Sequence, residues 1–107
     1  MTFYQTIQQI NIPSIYGAYR TDQPIPYMSY TGAGQDVFFA DNGGYHRVNL
    51  YQLVYYYKKK DEEKEDAIEE ALLNNGFTYE KGSDYYDSSE DVYYIIYSNV
   101  RSLNRGR

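Results

Sequence analysis

The amino-acid sequence predicts a small α+β fold with a mainly antiparallel sheet of about four to five strands. Two aromatic runs, VNLYQLVYYY at 48–57 and VYYIIY at 92–97, have the composition of strands. Between them, 61–75 carries the start and stop signals of an acidic α-helix. At the N-terminus, apolar residues within 2–11 recur at helical spacing and predict another helix. We expect both helices to pack on the sheet.

The N-terminal helix is predicted to end before Pro13, because the residue that precedes a proline is disfavoured in helical geometry. Thr2 is a suitable N-cap for its first turn. A short strand is predicted over Ile15–Arg20. A second strand is predicted to open at Pro26 and to run to about Thr31.

Residues 31–44 carry four of the eight glycines and are predicted to form the longest irregular stretch. Within it lies VFFAD at 37–41, and Asn42–Gly43 follows. Asn-Gly is a strong hairpin signal. We therefore expect the chain to reverse there into a long strand over Tyr45–Lys58.

The acidic helix has the clearest local signals. Asp61 is a good N-cap, and Glu62 and Glu63 place negative charge in the first turn, where the helix dipole favours it. Asn75–Gly76 is a typical left-handed C-terminal stop. The apolar stripe of this helix consists of Ala67, Ile68, Ala71 and Leu72.

After the helix, the sequence predicts a short strand at Phe77–Lys81 and an acidic loop at Gly82–Asp91. The last strand is expected over Asp91–Val100, and 101–107 are expected to be a flexible tail. All 107 residues, 1–107, are assigned to a single domain.

Both aromatic runs carry large side chains at odd and even positions alike. Because successive side chains of a strand point to opposite faces, a sheet built from them has two apolar faces. The acidic helix covers one face and little is left for the other. This mismatch favours a self-assembling structural protein over an enzyme.

Composition excludes several classes. The net charge is −5, which argues against free nucleic acid as the primary ligand. Lys58–Lys60 are interpreted as the end of a strand and not as a binding stripe.

The chain has no cysteine, so disulfides and thiol chemistry are excluded. No signal peptide and no membrane span are predicted. The 16 tyrosines suit interfaces with partners.

The sequence contains only weak signals for a catalytic, phosphate-binding or metal site. His46 stands alone in a strand, and Gly32–Gly34 lacks the third glycine and the helix of a phosphate loop. Acidic residues crowd the predicted loop at 82–91, but their spacing is not that of an EF-hand. We predict no catalytic residue, no metal and no cofactor.

Phe38 and Phe39 are the leading candidates for binding, because adjacent residues of an extended segment cannot both point into the core. Either one packs inward while the other lies on the sheet rim, or the segment docks on another subunit. The predicted interface residues are Phe38, Phe39, Asp41, Tyr51, Tyr55, Tyr57, Tyr93 and Tyr97.

The acidic helix has a strongly charged face, formed by Glu62, Glu65, Asp66 and Glu69. We favour the interpretation that water solvates this face. The alternative is that the basic surface of a neighbouring molecule meets it.

The order of the elements resembles a family of small proteins from long-tailed bacteriophages and prophages, the tail terminator, tail completion or head–tail joining proteins. The resemblance spans nearly the whole chain. It is carried by Pro26–Tyr27, by FADN at 39–42, and by the strand-to-helix passage from Tyr51 to Asp61. This chain departs from the pattern of the family in the unusually aromatic Tyr55–Tyr57 and in the glycine pair at 43–44.

The resemblance implies a virion protein, made in the cytoplasm of the bacterial host, that forms a ring, commonly sixfold, at the head-proximal end of the tail tube. Such a ring ends tube polymerisation and joins the tail to the head. Its implied partners are further copies of itself, the tail tube protein and the head connector or adaptor. DNA passes through without sequence-specific binding, and no membrane is involved.

Three alternatives remain open. The first is that the chain is a head-side connector or adaptor completion protein. The second is that it is a stand-alone bacterial inhibitor that binds one target through its tyrosines. The third, ranked last, is a small hydrolase that uses carboxylates such as Asp41 and Glu90.

Overall fold

The computed structural model describes residues 2–17, 22–39 and 43–102. Its elements are α1 (Phe3–Gln9), β1 (Ser14–Tyr16), β2 (Tyr27–Phe39), β3 (Tyr45–Tyr57), α2 (Glu62–Asn74), β4 (Phe77–Asp87) and β5 (Val92–Ser102). The five strands form one sheet in the order β1-β2-β3-β5-β4, and only the β1–β2 pair is parallel. The predicted α+β fold with a mainly antiparallel sheet and two helices is confirmed.

The two helices begin at the predicted residues for the predicted reasons. Thr2 forms a capping box with Gln5: its Oγ1 accepts from the Gln5 backbone N–H, and its own N–H donates to the Gln5 side chain. At α2, the Asp61 carboxylate accepts from the Glu63 N–H at 3.1 Å. Gly76, with a φ of 83°, follows the end of α2 in the left-handed region.

β2 is much longer than the sequence predicts. It runs unbroken to Phe39, so the prediction of an irregular stretch over 31–44 is wrong for residues 31–39. The register of β2 on β3 shifts between Gly32 and Gln35, and Gly34 adopts a φ of 104° there. A β-bulge thus accommodates the glycines without ending the strand.

The β2–β3 hairpin is present, with Phe39 opposite Tyr45. The predicted turn residue Asn42 lies outside the described residues. β3 ends at Tyr57, one residue before the predicted end. The strand predicted over Ile15–Arg20 is described as Ser14–Tyr16, and residues 18–20 fall outside the described ranges.

β4 is also longer than predicted. It continues to Asp87, so most of the loop predicted over Gly82–Asp91 is strand. Cross-strand tyrosine pairs hold this extension on β5: the rings of Tyr85 and Tyr94 are 5.4 Å apart and those of Tyr86 and Tyr93 are 4.9 Å apart.

The last strand extends further towards the C-terminus than predicted. Arg101 and Ser102 belong to β5, so these two residues of the predicted tail at 101–107 are ordered in the sheet. Residues 103–107 lie outside the described part of the chain.

The sheet has two apolar faces, as predicted. The helix-side face packs under α1 and α2 and contains, among others, Phe3, Ile7, Met28, Leu53, Ile68, Leu72, Ile95 and Val100. We call the opposite side the second face; it consists of the buried Tyr27, Val54, Tyr56 and Val92 and the half-buried Ile15, Ile25, Tyr94 and Ile96. The main core therefore lies between the sheet and the helices.

Gly82 of β4 makes a close approach to β5 that a larger residue would crowd. A Cβ at this position would lie 3.0 Å from the backbone oxygen of Ile96, which cannot rotate away as a side chain can. We expect Gly82→Ala to lower the free energy of unfolding by about 1–2 kcal/mol, as overpacking does. Urea denaturation measures it.

Gly32→Ala is the matched control, because a Cβ at Gly32 meets nothing within 4 Å and needs no strained φ. An alanine in place of this strand glycine should be neutral or slightly stabilising. Equal losses of stability in the two variants would contradict the close approach at Gly82.

Candidate interaction surface

The distal half of the β2–β3 hairpin projects from the rest of the sheet. Residues 35–39 pair with 45–49 and, within the described ranges, with no other strand, because β3 meets β5 only from Tyr51 onwards and β1 meets β2 at 28–30. We call this two-stranded part the hairpin ribbon. It contributes to the elongated shape of the molecule, whose extents are 51, 24 and 22 Å.

The hairpin ribbon exposes large apolar side chains. Phe39 is 69% exposed and Tyr45 is 72% exposed, and their rings lie 4.6 Å apart as a cross-strand pair. Val37 is also more than half exposed. Phe38 is half-buried and stacks on His46 at 5.8 Å. Neither phenylalanine enters the core, so Phe39 is the more accessible of the two predicted binding residues.

An ion pair supports the base of the ribbon. The guanidinium of Arg101, from β5, donates to the Asp36 carboxylate at 3.0 Å. This contact joins the ribbon to a strand that does not pair with it. The direction in which the ribbon leaves the sheet is thereby stabilised.

Three predicted interface tyrosines do not lie on the surface. Tyr55, Tyr57 and Tyr97 are buried in the helix-side core, which contradicts their assignment to an interface. The reason is the strand alternation: odd-numbered residues of β3 between 51 and 57 face the helices. Tyr51 is half-buried and stacks on Phe3 at 4.2 Å.

Of the other predicted interface residues, Tyr93 is partly accessible. It is 41% exposed and lies between the rings of Tyr57 and Tyr86. Asp41 lies outside the described residues, so its placement is not tested. The predicted residues thus divide between the hairpin ribbon, the core and the outer end of the β4–β5 pair.

The acidic helix face is not uniformly solvated. Glu62 and Asp66 are exposed, as predicted, but Glu65 is 1% exposed and Glu69 is half-buried. Glu65 lies three residues before the buried Ile68, and Glu69 lies three residues before the buried Leu72, so both share the side of α2 that meets the sheet. This helical spacing is visible in the sequence and identifies both glutamates as residues of the inward side.

Lys60, which follows β3, and Lys81, within β4, neutralise the inward carboxylates. The ammonium of Lys60 lies 2.7 Å from Glu65 Oε2, and that of Lys81 lies 3.0 Å from Glu65 Oε1. Lys81 also pairs with Glu69 at 2.7 Å. Glu69 accepts hydrogen bonds from the hydroxyls of Tyr97, at 2.8 Å, and Tyr79. We call these residues the lysine–glutamate network.

The network changes the pKa values of its members. Burial alone would raise the pKa of Glu69, but Lys81 and the Tyr97 hydroxyl outweigh it and hold that pKa below its ordinary value. Hydrogen bonds from Lys60 and the Tyr57 hydroxyl lower the pKa of Asp84. The charged forms of both carboxyls are therefore favoured in the folded protein.

The lowered pKa values predict a loss of stability in acid. Because both carboxyls bind protons less readily when folded, they contribute stability above the unfolded-state pKa values, about 4. That contribution is lost as pH falls through the folded values. We expect the urea midpoint to fall steadily from pH 5 to about pH 3. Glu69→Gln, which removes one such group, should make the dependence shallower; an unchanged slope would contradict the role of Glu69.

The second face carries a shallow groove next to the outer strands. Its volume is about 310 Å³, and it is lined by Gln52, Val54, Tyr56, Asp87, Val92, Tyr94 and Ile96. Both helices pack on the other side of the sheet. β1 and β4 are the two edge strands, and most residues of β4 beyond Glu80 are exposed.

Comparisons with protein-family models, with curated proteins and with solved structures find no match to this chain. Within the described ranges, no group of three histidine, aspartate or glutamate side chains is arranged to hold a metal ion. Among the same residues, neither helix is long and apolar enough to cross a membrane.

Proposed function

We propose that this chain is a structural protein of a long-tailed phage or prophage that assembles into a ring at the head-proximal end of the tail tube. In that role it ends tube polymerisation and connects the tail to the head connector. The observation that carries the proposal is the hairpin ribbon, which projects from the sheet and exposes Val37, Phe39 and Tyr45.

Exposed aromatic side chains on a projecting ribbon are a suitable element for contacts between subunits. Aromatic residues are enriched in the buried centres of protein interfaces. A ribbon at one end of an elongated molecule reaches a neighbour without disturbing the core. A contact between the ribbon and a different surface of the neighbouring subunit would be heterologous, and heterologous contacts close into rings when the rotation allows.

The second face and the edge strands supply further surface for the same purpose. Half-buried Tyr94 and Ile96 lie on the side of the sheet away from both helices. The outer strand β4 has an edge that pairs with no other strand among the described residues. A closed ring covers such edges, which otherwise promote uncontrolled association.

The charged groups that the structure gathers fit a structural role. Glu65, Glu69 and Asp84 are bound to Lys60 or Lys81, and the lysine–glutamate network joins α2 to the sheet. Such pairs fix the position of a helix. This supports a protein that acts by assembly.

The proposal is tested by light scattering across a concentration series, with negative-stain images of any large species. Closed rings with a central hole would support it. Pull-downs with the tail tube protein and with the head connector then separate a terminator from a head-side adaptor. A monomer at every concentration that captures neither partner would overturn it.

Phe39→Ala tests the hairpin ribbon directly. Because Phe39 is exposed, its loss should change the free energy of unfolding by less than about 1 kcal/mol. We expect ring formation or tube-protein capture to weaken by at least about tenfold, as for an interface anchor. Tyr4→Ala is the control, since Tyr4 is also exposed but lies on α1. Equal behaviour of the two variants would exclude the ribbon as the contact.

A further inference from the structure

A pocket of about 420 Å³ lies where β3 leads into α2. Ile25 and Pro26 line one part of it, and lysines line another. The lysines are Lys58, Lys59, Lys60 and Lys64. Its volume is within the range of small-molecule sites, which are about 300–1,000 Å³.

The pocket concentrates positive charge in an acidic protein. The chain has a net charge of −5 and five lysines, and four of those five line this pocket. Lys64, in the first turn of α2, lines the same pocket as the three lysines that follow β3. The interpretation of Lys58–Lys60 as a mere strand end is therefore incomplete.

Two of these lysines are available to a ligand. Lys60 is bound to Glu65 and Asp84, and Lys58 lies 3.5 Å from Asp91 in an exposed pair, which contributes little. Within the part of the chain that the structure describes, Lys59 and Lys64 form no ion pair. Asp61 also lines the pocket, but it forms no ion pair with either lysine among the described residues.

A buried hydroxyl at the pocket also lacks an acceptor. Tyr55 lines the pocket and is fully buried, and its Oη has no hydrogen-bond partner among the described residues. Burial, with Asp61 and Glu65 nearby, raises the pKa of Tyr55 to about 12, so the hydroxyl keeps its proton at neutral pH. A buried donor without an acceptor is unfavourable, and a ligand oxygen would satisfy it.

We infer that this pocket binds a small molecule carrying phosphate or carboxylate groups, held by Lys59, Lys64 and the Tyr55 hydroxyl. Lysine ammonium groups bind such oxyanions as point charges. The side chains of Ile25, Pro26 and Tyr57 give the rest of the ligand an apolar wall. The net charge of the whole protein opposes a long polyanion far more than a small one. The inference does not depend on the proposed assembly.

Isothermal titration calorimetry at low salt with two probes, inorganic pyrophosphate and citrate, tests the inference on the full chain. Saturable binding of one molecule per chain is expected, weakening as salt is added. Tighter binding of pyrophosphate would identify phosphate as the preferred group, and tighter binding of citrate would identify carboxylate. Absence of saturable binding by both probes would overturn the inference.

Substitutions in the pocket test whether the two probes bind there. Lys59→Gln with Lys64→Gln should weaken it by at least about tenfold, and Tyr55→Phe should weaken it by about fivefold or more, through loss of a hydrogen bond to a charged group. Arg47→Gln is the matched control, since it removes one exposed positive charge from β3 outside the pocket. Equal weakening in the control, or none in the lysine variant, would show that the probes bind elsewhere.

Discussion

Leu72→Ala should lower the free energy of unfolding by about 3 kcal/mol, the middle of the range for leucine truncations in a core. Leu72 is fully buried on α2 and packs in the helix-side core, where the sheet meets both helices. The loss has two parts, the transfer of the removed groups and the cavity left behind. Urea denaturation followed by circular dichroism measures it, with an unchanged m-value expected if the two-state transition is kept.

Leu73→Ala provides a control within the same helix. The two residues are of the same type and adjacent, but Leu73 is 51% exposed. Its truncation should cost less than about 1 kcal/mol, since little apolar area returns to water. Helix propensity changes equally in both variants, so the difference between them reports packing alone. Similar losses would mean that α2 does not pack as described.

Removal of both lysines around Glu65, as Lys60→Met with Lys81→Met, should cost about 3 kcal/mol at pH 7. The Glu65 side chain is only 2% exposed, so without these ammonium groups it would be an uncompensated buried charge. We take the lower end of the usual range because the lysine side chains are 43% and 36% exposed and water already screens them. Chemical denaturation measures the loss.

Adding Glu65→Leu to the double variant shows whether the loss of stability comes from the unpaired carboxylate or from lost packing of the lysine side chains. If the loss comes from the unpaired carboxylate, the triple variant should recover most of the stability, because a buried apolar residue needs no partner. A triple variant no more stable than the double one would indicate that the lysines act through packing of their stems.

Local signals predicted the helices well, because caps act over three or four residues. Thr2, Asp61 and Gly76 occupy the predicted positions. The predictions of secondary structure are wrong where pairing with a strand that is distant in sequence determines the local conformation. Residues 31–39 look irregular because of Gly32 and Gly34, but pairing with β3 and a bulge keep them in the sheet.

The same reasoning explains what could be predicted of the binding surfaces. The exposure of Phe39 follows from two adjacent phenylalanines in an extended segment. The burial of Tyr55, Tyr57 and Tyr97 does not follow, since a run that is apolar at every position does not show which face is inward. Nor does the sequence pattern show that Lys64 and Tyr55 line one pocket, because that depends on the direction in which α2 leaves the end of β3.

The order of the strands in the sheet differs from their order in the chain, and this has a consequence for synthesis. Among the strands that the structure describes, β4 pairs only with β5, which lies between it and β3. On a ribosome β4 emerges first, so it has no ladder partner until the later strand has left the exit tunnel. Until then its outer tyrosines, Tyr85 and Tyr86, also lack the rings of Tyr94 and Tyr93. The sheet is therefore completed only after β5, which follows β4 in the chain, has emerged.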